Sequence, residues 1–530
     1  MNILNRVAVK HRDYTYLGLT QSLCPTCRRL VPAKIIARHG RVYFRKRCPE
    51  HGEREDFICS DVDRYDRTET SLPAKLPQQT FASEQHGCPL DCGLCEQHEQ
   101  HTCIGVIEIT DGCNLTCLLC YAASAPGKPH KSVQDVKRAI DRLVIAEGRA
   151  EVCQLSGGEP TLHPQFLEIL DYALSQPIDY VMVNTNGIRL AHDDELVAQL
   201  AARRQRVEIY FQLDDLDDEV LTRLRGQPGL LSKKLAALER LDAAGLNVTL
   251  VATLQAGVNA GAATRLLDFA RLRPYVTGLS FQPATYSGRS ELPADIEQRI
   301  TFPDVIDGLC AGASSEFQAS DFTPLPCAHP NCHWISLAAR HEGQLWPLSR
   351  VIDTETHRDL LANGISFTRH GSQKLVAQLL SRLACGEDGC CSGAVDDANP
   401  LVSIATAGTV ATVGKTATVG TVDGTRLNPN LDDSPRSSLQ SSADDPGAKV
   451  VRSLLTRALQ GQAGARDLLR ITITSFLDVY NFDVRRVMKC CTHHVLPSGH
   501  IIPFCAYNVL YRDGTVPLPT LKGSVDALGQ

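Results

Sequence analysis

The 530 residues are 43% hydrophobic and 22% charged with a net charge of −6, the profile of a globular chain long enough for two or three domains. That acidic balance gives no electrostatic reason for a nucleic-acid partner, because phosphate binding rests on a basic surface. No run approaches the ~18 apolar residues of a membrane span, and Met1-Asn2-Ile3-Leu4-Asn5-Arg6 lacks the apolar core of a secretion signal, so a cytoplasmic location is expected.

Twenty-one cysteines, grouped at short spacing, point to metal ligation rather than disulfides. Residues 1–103 form the first such region. Cys24-Pro25-Thr26-Cys27 is followed by a hairpin from Lys34 to Lys46 turning at His39-Gly40, then by Cys48-Pro49-Glu50-His51-Gly52 and Cys59. Two knuckles on a hairpin predict a small ribbon in which a tetrahedral ion stands in for a core. Cys24, Cys27, Cys48 and Cys59 are the expected ligands of one zinc or one rubredoxin-like iron, in a structural role, with His51 the rival to Cys59. After a polar connector over 60–85, Cys88, Cys92, Cys95 and Cys103 stand at C-x3-C-x2-C-x7-C. That is a complete thiolate set for a [4Fe–4S] cluster without an open iron, suited to passing electrons or organising loops.

The central stretch runs from Ile107 through Gly112 to Cys113, Cys117, Cys120 and Tyr121. Alternation of Val106, Glu108 and Thr110 against Ile107 and Ile109 predicts a half-buried strand, and Gly112 supplies a sharp exit. Three thiolates at C-x3-C-x2-C hold three irons of a [4Fe–4S] cube and leave the fourth without a protein ligand. A zinc site is the plainer alternative, but zinc takes four ligands and a lone triplet leaves it one short.

From 104 to 300 short β-rich runs alternate with amphipathic helices. Ser132 caps the first helix, and strands are expected at 151–155, 179–185, 206–213, 248–253 and 276–281, with helices near 163–176, 193–204, 230–244 and 261–271. The fold class is α/β, a partial (βα)6 barrel with an N-terminal Cys-rich metal-binding ribbon and a C-terminal cluster-binding extension. In such a barrel ligand residues come from the carboxyl ends of the strands. Ser156-Gly157-Gly158-Glu159-Pro160, Asn186, Gln212, Asp214 and Gln282 fall there. Two glycines let a ligand approach the backbone, and the Glu159 carboxylate can receive an ammonium.

Residues 301–392 and 449–530 read as an auxiliary-cluster region. Cys327, Cys332, one of Cys490 and Cys491, and Cys505 can assemble a further iron–sulfur site that ties the chain end to the barrel, with Cys385, Cys390 and Cys391 as alternative ligands. Cys153 and Cys310 read as buried free thiols. Residues 393–448, rich in Gly, Thr, Ser and Asp, read as an inserted flexible linker.

The C-x3-C-x2-C loop with an aromatic after its last cysteine resembles the radical S-adenosylmethionine (SAM) superfamily. The resemblance implies that Cys113, Cys117 and Cys120 hold a catalytic [4Fe–4S] cluster whose open iron chelates SAM, which is cleaved to a 5′-deoxyadenosyl radical. It implies further that Tyr121 stands near the adenine and that Gly157, Gly158 and Glu159 contact the methionine end. Asn186, Gln212 and Asp214 match polar tips that touch ribose, carboxylate or substrate. The order of motifs, from CPxC and CPEHG to KCCTHH and IIPFCAYN, narrows the resemblance to tetraether lipid synthases and relatives described as pterin-dependent methyltransferases. That family implies SAM, one or two auxiliary [4Fe–4S] clusters and one mononuclear Fe or Zn. It also implies an electron donor such as ferredoxin or flavodoxin. The expected activity is C–H activation with C–C coupling of lipid chains, with peripheral membrane contact if the substrate is a lipid; methylation of a pterin-type small molecule is the alternative. Aromatics at only 5% favour the lipid, since a pterin needs stacking partners. A non-catalytic metal-binding scaffold is the reading from outside enzymology.

Overall fold

The computed structural model describes residues 12–68, 75–312, 316–352 and 446–522. Cys385, Cys390, Cys391 and the expected linker, apart from 446–448, lie outside the described residues. Period-two alternation builds the first sheet, an antiparallel meander of β1 (Thr15–Leu23), β2 (Leu30–Arg38), β3 (Arg41–Cys48) and β4 (Gly52–Cys59). His39 and Gly40 both take positive φ, 52° and 74°, the twist that a two-residue hairpin turn requires. Under this ribbon Lys46 is 2% exposed; it pairs with Asp56 at 2.7 Å and donates to the Tyr480 carbonyl at 2.8 Å, fastening the ribbon to the far end of the chain.

The second sheet begins as six parallel strands, β5 (Ile104–Thr110), β6 (Ala150–Gly157), β7 (Ile178–Thr185), β8 (Val207–Gln212), β9 (Val248–Leu254) and β10 (Val276–Pro283), paired in chain order. The connecting helices are α1 (Val133–Glu147), α2 (Phe166–Ser175), α3 (Asp194–Ala201), α4 (Asp218–Arg225), α5 (Leu230–Ala243) and α6 (Ala262–Arg271). Ser132 caps α1, its hydroxyl accepting from the Asp135 amide. Helix α4 was not expected, yet its signals are present: Asp217 accepts from the Glu219 amide and Gly226 ends the helix at φ 75°. The strands bury their apolar faces in one continuous core with the helices, so the polar groups of interest collect at the carboxyl ends and on the inner wall.

The C-terminal region is more than an appendage. After α7 (Phe302–Cys310) come β11 (Thr323–Pro324), β12 (His333–His341), β13 (Gln344–Pro347), α8 (Pro446–Leu459), β14 (Leu468–Thr474), α9 (Val484–Met488), β15 (Thr492–Val495) and β16 (Ile501–Pro503). Helix α8 starts inside what was expected to be linker. Strand β14 pairs parallel with β10, Leu279 facing Ile471, and β15 pairs parallel with β5, Ile104 facing Thr492. The chain end therefore covers both edges of the six-stranded unit. Beyond them, β12 continues from β14 and β16 from β15, giving twelve strands among the described residues.

A buried ion pair locks this arrangement. Arg512, just after a π-helical turn at Tyr507–Tyr511, donates to both carboxylate oxygens of Glu108 on β5 at 3.0 and 2.6 Å. Burial pushes the Glu108 carboxyl up, but the Arg512 guanidinium outweighs it and holds the group at about 2. Removing one partner of such a pair strands a buried charge, so Arg512→Gln should cost about 3 kcal/mol at neutral pH. The folded pKa lies below the usual carboxylate value of about 4.3. The stability is therefore fully present above that value and is lost as pH falls toward about 2, and denaturant unfolding should show the gap between wild type and variant closing below pH ~4.

Candidate functional site

The three central cysteines sit on a loop that other elements hold from every side. The Thr110 hydroxyl at the end of β5 accepts from the Gly112 amide at 2.9 Å, and the Cys113 amide donates to the Ala125 carbonyl. Gly157, at φ 130°, and Gly158 pack so closely on this loop that a Cβ would overlap the Thr110 and Gly112 carbonyls. The Gly158 and Glu159 amides donate to those same two carbonyls at 2.7 and 2.9 Å. Glycine is therefore required by close backbone approach here. From the end of β10, Arg289 donates through Nε to the Cys117 carbonyl at 2.6 Å and through Nη2 to the Ser124 carbonyl at 2.9 Å.

Above the loop lies a cavity of about 210 Å³. Cys113, Cys117, Cys120, Tyr121, Gly157, Gly158, Asn186, Gln212 and Gln282 all line it, so most of the expected site residues come together. Asn186 Nδ2 donates to Asn114 Oδ1 at 2.7 Å. With its side-chain amide turned so that the oxygen faces the guanidinium, Gln212 accepts from Arg225 at 2.6 and 2.9 Å. Tyr121 makes an edge contact with Phe504, centroids 5.1 Å apart, and the Arg512 guanidinium lies 5.6 Å from its ring centre. Burial pushes the Cys113 thiol up to about 12. A thiolate at that position needs positive charge beside it, which bound iron supplies. The donor set and the cavity that Gly157 and Gly158 line thus fit a [4Fe–4S] cluster and SAM; the three cysteines would hold the one and the surrounding amides would orient the other.

Two expected contacts are corrected. Glu159 is 1% exposed and spends its carboxylate on its own neighbours, accepting from the Thr161 and Thr185 hydroxyls at 2.5 and 2.8 Å and the Asn186 amide at 2.8 Å. These bonds make it a brace for the turns that carry Thr185 and Asn186. Asp214, fully buried, is paired with Arg225, whose Nε donates at 2.6 Å. The cation that reaches the cavity there is Arg225, which also contacts the Cys117 side chain. Lys234 on α5 braces the wall, donating to the Asn186 and Gln212 carbonyls at 2.7 Å each.

The other cysteines regroup. In the ribbon, Cys24, Cys27, Cys48 and His51 have ligand atoms within 4.8 Å of one another, His51 Nδ1 lying 3.7 Å from Cys24 Sγ and 3.5 Å from Cys48 Sγ. Cys59 does not join them. Strand β4 starts beside Cys48 and carries Cys59 to the opposite end of the sheet, opposite Val42, because an extended strand advances ~3.3 Å per residue. Cys88, Cys92 and Cys95 remain neighbours around one small cavity, but Cys103 does not complete their set. It lies with Cys327 and Cys491, Sγ atoms within 4.8 Å of one another. The expected grouping of Cys327 with Cys332, one of Cys490 and Cys491, and Cys505 is likewise split: Cys491 lies with Cys327, while Cys332 and Cys505 do not join them. Burial and mutual charge repulsion raise the Cys490 and Cys505 thiols, with Cys332 among their repelling neighbours. The Arg486 Nε donates to Cys332 Sγ at 3.2 Å. Two adjacent residues, Cys490 and Cys491, thus serve different groups. Cys153 is fully buried away from any of them.

Sequence reasoning missed Arg225, Arg289, His333 and Asn508, all of which line the cavity. Arg289 could have been found from its place in Tyr286-Ser287-Gly288-Arg289, just past the polar tip of the sixth strand. Replacing His51 with Ala should release the ribbon ion, while Cys59→Ala should keep it; metal content per chain after gel filtration checks both.

Residues 107–270 match the radical SAM superfamily, and residues 16–60 match the HMPTM N-terminal zinc ribbon domain. The chain is 29% identical over 523 residues to 7,8-dihydro-6-hydroxymethylpterin dimethyltransferase of Methanocaldococcus jannaschii, covering 93% of this chain and 94% of that protein. It is 32% identical over 169 residues to mycofactocin maturase MftC of Mycobacterium ulcerans, 31% of this chain and 42% of that one. Streptococcus suis SuiB aligns with TM-score 0.32 at 18% identity, over 37% of this chain and 43% of that one. No helix among the described residues is long and apolar enough to cross a membrane. With a three-cysteine loop at the mouth of a parallel half-barrel and a matching family model over that same segment, the chain is an enzyme that carries a radical SAM domain over residues 107–270.

Proposed function

We propose that this enzyme activates a C–H bond of a pterin-type small molecule, in the course of methylating it, at the cavity above Cys113, Cys117 and Cys120. The observation that carries the reading is the end-to-end similarity to a protein named as a pterin dimethyltransferase, over 93% of this chain. The cavity supports it. Tyr121, Tyr210, Phe476 and Phe504 line one space with Gln154, Asn184, Asn186, Gln212, Gln282 and Asn508. Flat aromatic faces and paired amide donors and acceptors suit a fused heteroaromatic ring whose edge alternates N–H, C=O and ring nitrogens. The low overall aromatic content pointed toward a lipid, but four aromatic side chains do line this one cavity.

A [4Fe–4S] cluster and SAM, which Cys113, Cys117 and Cys120 would hold at this cavity, would supply a primary carbon radical able to take hydrogen from an unactivated carbon, a task for which side-chain acids and bases have no handle. This chain's residues have the remaining work. Arg225 places a fixed positive charge where a cofactor carboxylate can pair with it. Asn186 and Gln212 orient by hydrogen bonding, and Phe476, Leu477 and Phe504 wall off water from the side of the C-terminal segment. An electron donor of the ferredoxin or flavodoxin kind would reduce the cluster. Cys88, Cys92 and Cys95, and separately Cys332, Cys490 and Cys505, are the proposed holders of auxiliary clusters.

The test is anaerobic turnover of reconstituted protein with SAM as radical source, a one-electron reductant, a separate one-carbon donor (a further SAM or a methylene-bearing reduced pterin) and either a reduced hydroxymethylpterin or an ether-lipid extract. Formation of 5′-deoxyadenosine together with a methylated pterin is expected; coupled lipid chains, or no product from either substrate, overturns the reading. Cys113→Ala should lose about four irons and all 5′-deoxyadenosine formation. Asn186→Ala should keep the iron and raise the SAM concentration needed by roughly tenfold, the worth of one hydrogen bond to a charged group.

A further inference from the structure

We propose that Cys103, Cys327 and Cys491, with His333 as fourth donor, hold a single zinc-class ion that staples the two edges of the half-barrel together. The three Sγ atoms all lie within 4.8 Å of one another. Thiolates on one tetrahedral ion, each bonded at about 2.3 Å, must sit about 3.8 Å apart. Thiolates of a cube each bind a different iron and are held further apart. The molecule offers its own comparison. The only other thiol group as tight among the described residues is that of the ribbon, whereas the Cys113, Cys88 and Cys490 groups do not meet the same distance. The Cys103 group is thus as tight as the single-ion set of the ribbon.

All three thiols are buried, at 0%, 0% and 1% exposure, so an ionised set would be untenable without a cation. His333 contacts the Cys491 side chain, and one of its ring nitrogens, Nδ1, lies 3.1 Å from Thr474 Oγ1, which fixes the ring as ligating imidazoles are commonly fixed. His333 lies beside Cys491 but outside the 4.8 Å group of the three sulfurs; drawn in by one ring nitrogen, it would complete a tetrahedral set of the kind that holds zinc. His101 flanks the site, its Nε2 3.5 Å from Cys103 Sγ and its Nδ1 3.0 Å from Glu147, as an outer partner.

The donors come from opposite ends of the sheet. Cys103 and Cys491 directly precede β5 and β15, and the Cys103 and Ile104 amides both donate to the Cys491 carbonyl at 2.9 and 3.1 Å. Cys327 and His333 precede or begin β12, which pairs with β14 at the other end of the strand order. An ion here joins strands that no backbone ladder joins. His333 and Thr492 also line the main cavity, so the staple forms part of its floor.

The experiment uses the full chain purified anaerobically and compares metal content and sulfide of wild type, Cys491→Ser and His333→Gln. Wild type should carry two non-cluster ions per chain and Cys491→Ser one, with iron and sulfide unchanged. His333→Gln should keep the ion but release it at least about tenfold faster to a chelator, and exchange of the Cys103 and Ile104 amides should rise by a similar factor. A chain with Cys24→Ser and Cys27→Ser, lacking the ribbon ion, should show zinc-edge scattering from three sulfurs and one nitrogen. Loss of several irons and sulfides together in Cys491→Ser would mean a cube and overturn the proposal. So would unchanged metal in that variant, or an absence of any non-cluster ion from the ribbon-deficient chain, whose folding is checked by circular dichroism.

Discussion

A parallel sheet that stops at six strands has two bare edges, and each edge presents a row of unpaired amides and carbonyls. The architecture follows from how this chain covers them. Strand β14 adds to β10 and β15 adds to β5, and both come from residues 468–495, with Arg512 then pinned to Glu108 on β5. The cavity wall is consequently a joint product: Tyr121 and the glycines come from the barrel, Phe476, Phe504 and Asn508 from the segment that closes it.

The barrel itself was legible in the sequence because strand and helix periods are local. Apolar alternation located all six strands to within a few residues, and the hairpin at His39-Gly40 and the cap at Ser132 are written in residue types that admit few other conformations. The cysteine loop and the Gly157–Gly158 turn were also legible, since each is contiguous and its spacing carries its geometry. What was not legible is pairing between distant segments. Cys103 stands at a plausible spacing from Cys95, but the start of β5 turns it toward Cys491 instead, and nothing in the run of residues from 88 to 103 reports on a strand nearly four hundred positions later. Cys59 failed for a related reason: strand direction decided which end of the ribbon it reached, and spacing alone did not contain that.

Charged residues at strand tips illustrate a second limit. Glu159 and Asp214 looked like ligand contacts because carboxylates at the carboxyl ends of barrel strands often are. In the folded chain both are used up internally, Glu159 on hydroxyls and an amide, Asp214 on Arg225. A buried carboxylate must be satisfied, and these two found partners within the protein. Their effect on the site is indirect: Glu159 sets the course of the turns bearing Thr185 and Asn186, and Asp214 aims the guanidinium that does face the cavity.

Synthesis order gives the edge pairing a temporal meaning. Ribosomes deliver β5 through β10 long before β14 and β15 exist, so the nascent half-barrel must wait with both flanks exposed to stray β-addition. Only once Arg512 has emerged can the enclosure form around its sulfur ligands. A chain cut before that segment would keep Cys113, Cys117 and Cys120 but lose Cys491, Phe504 and Arg512, leaving its thiol loop in a half-barrel whose flanks are bare.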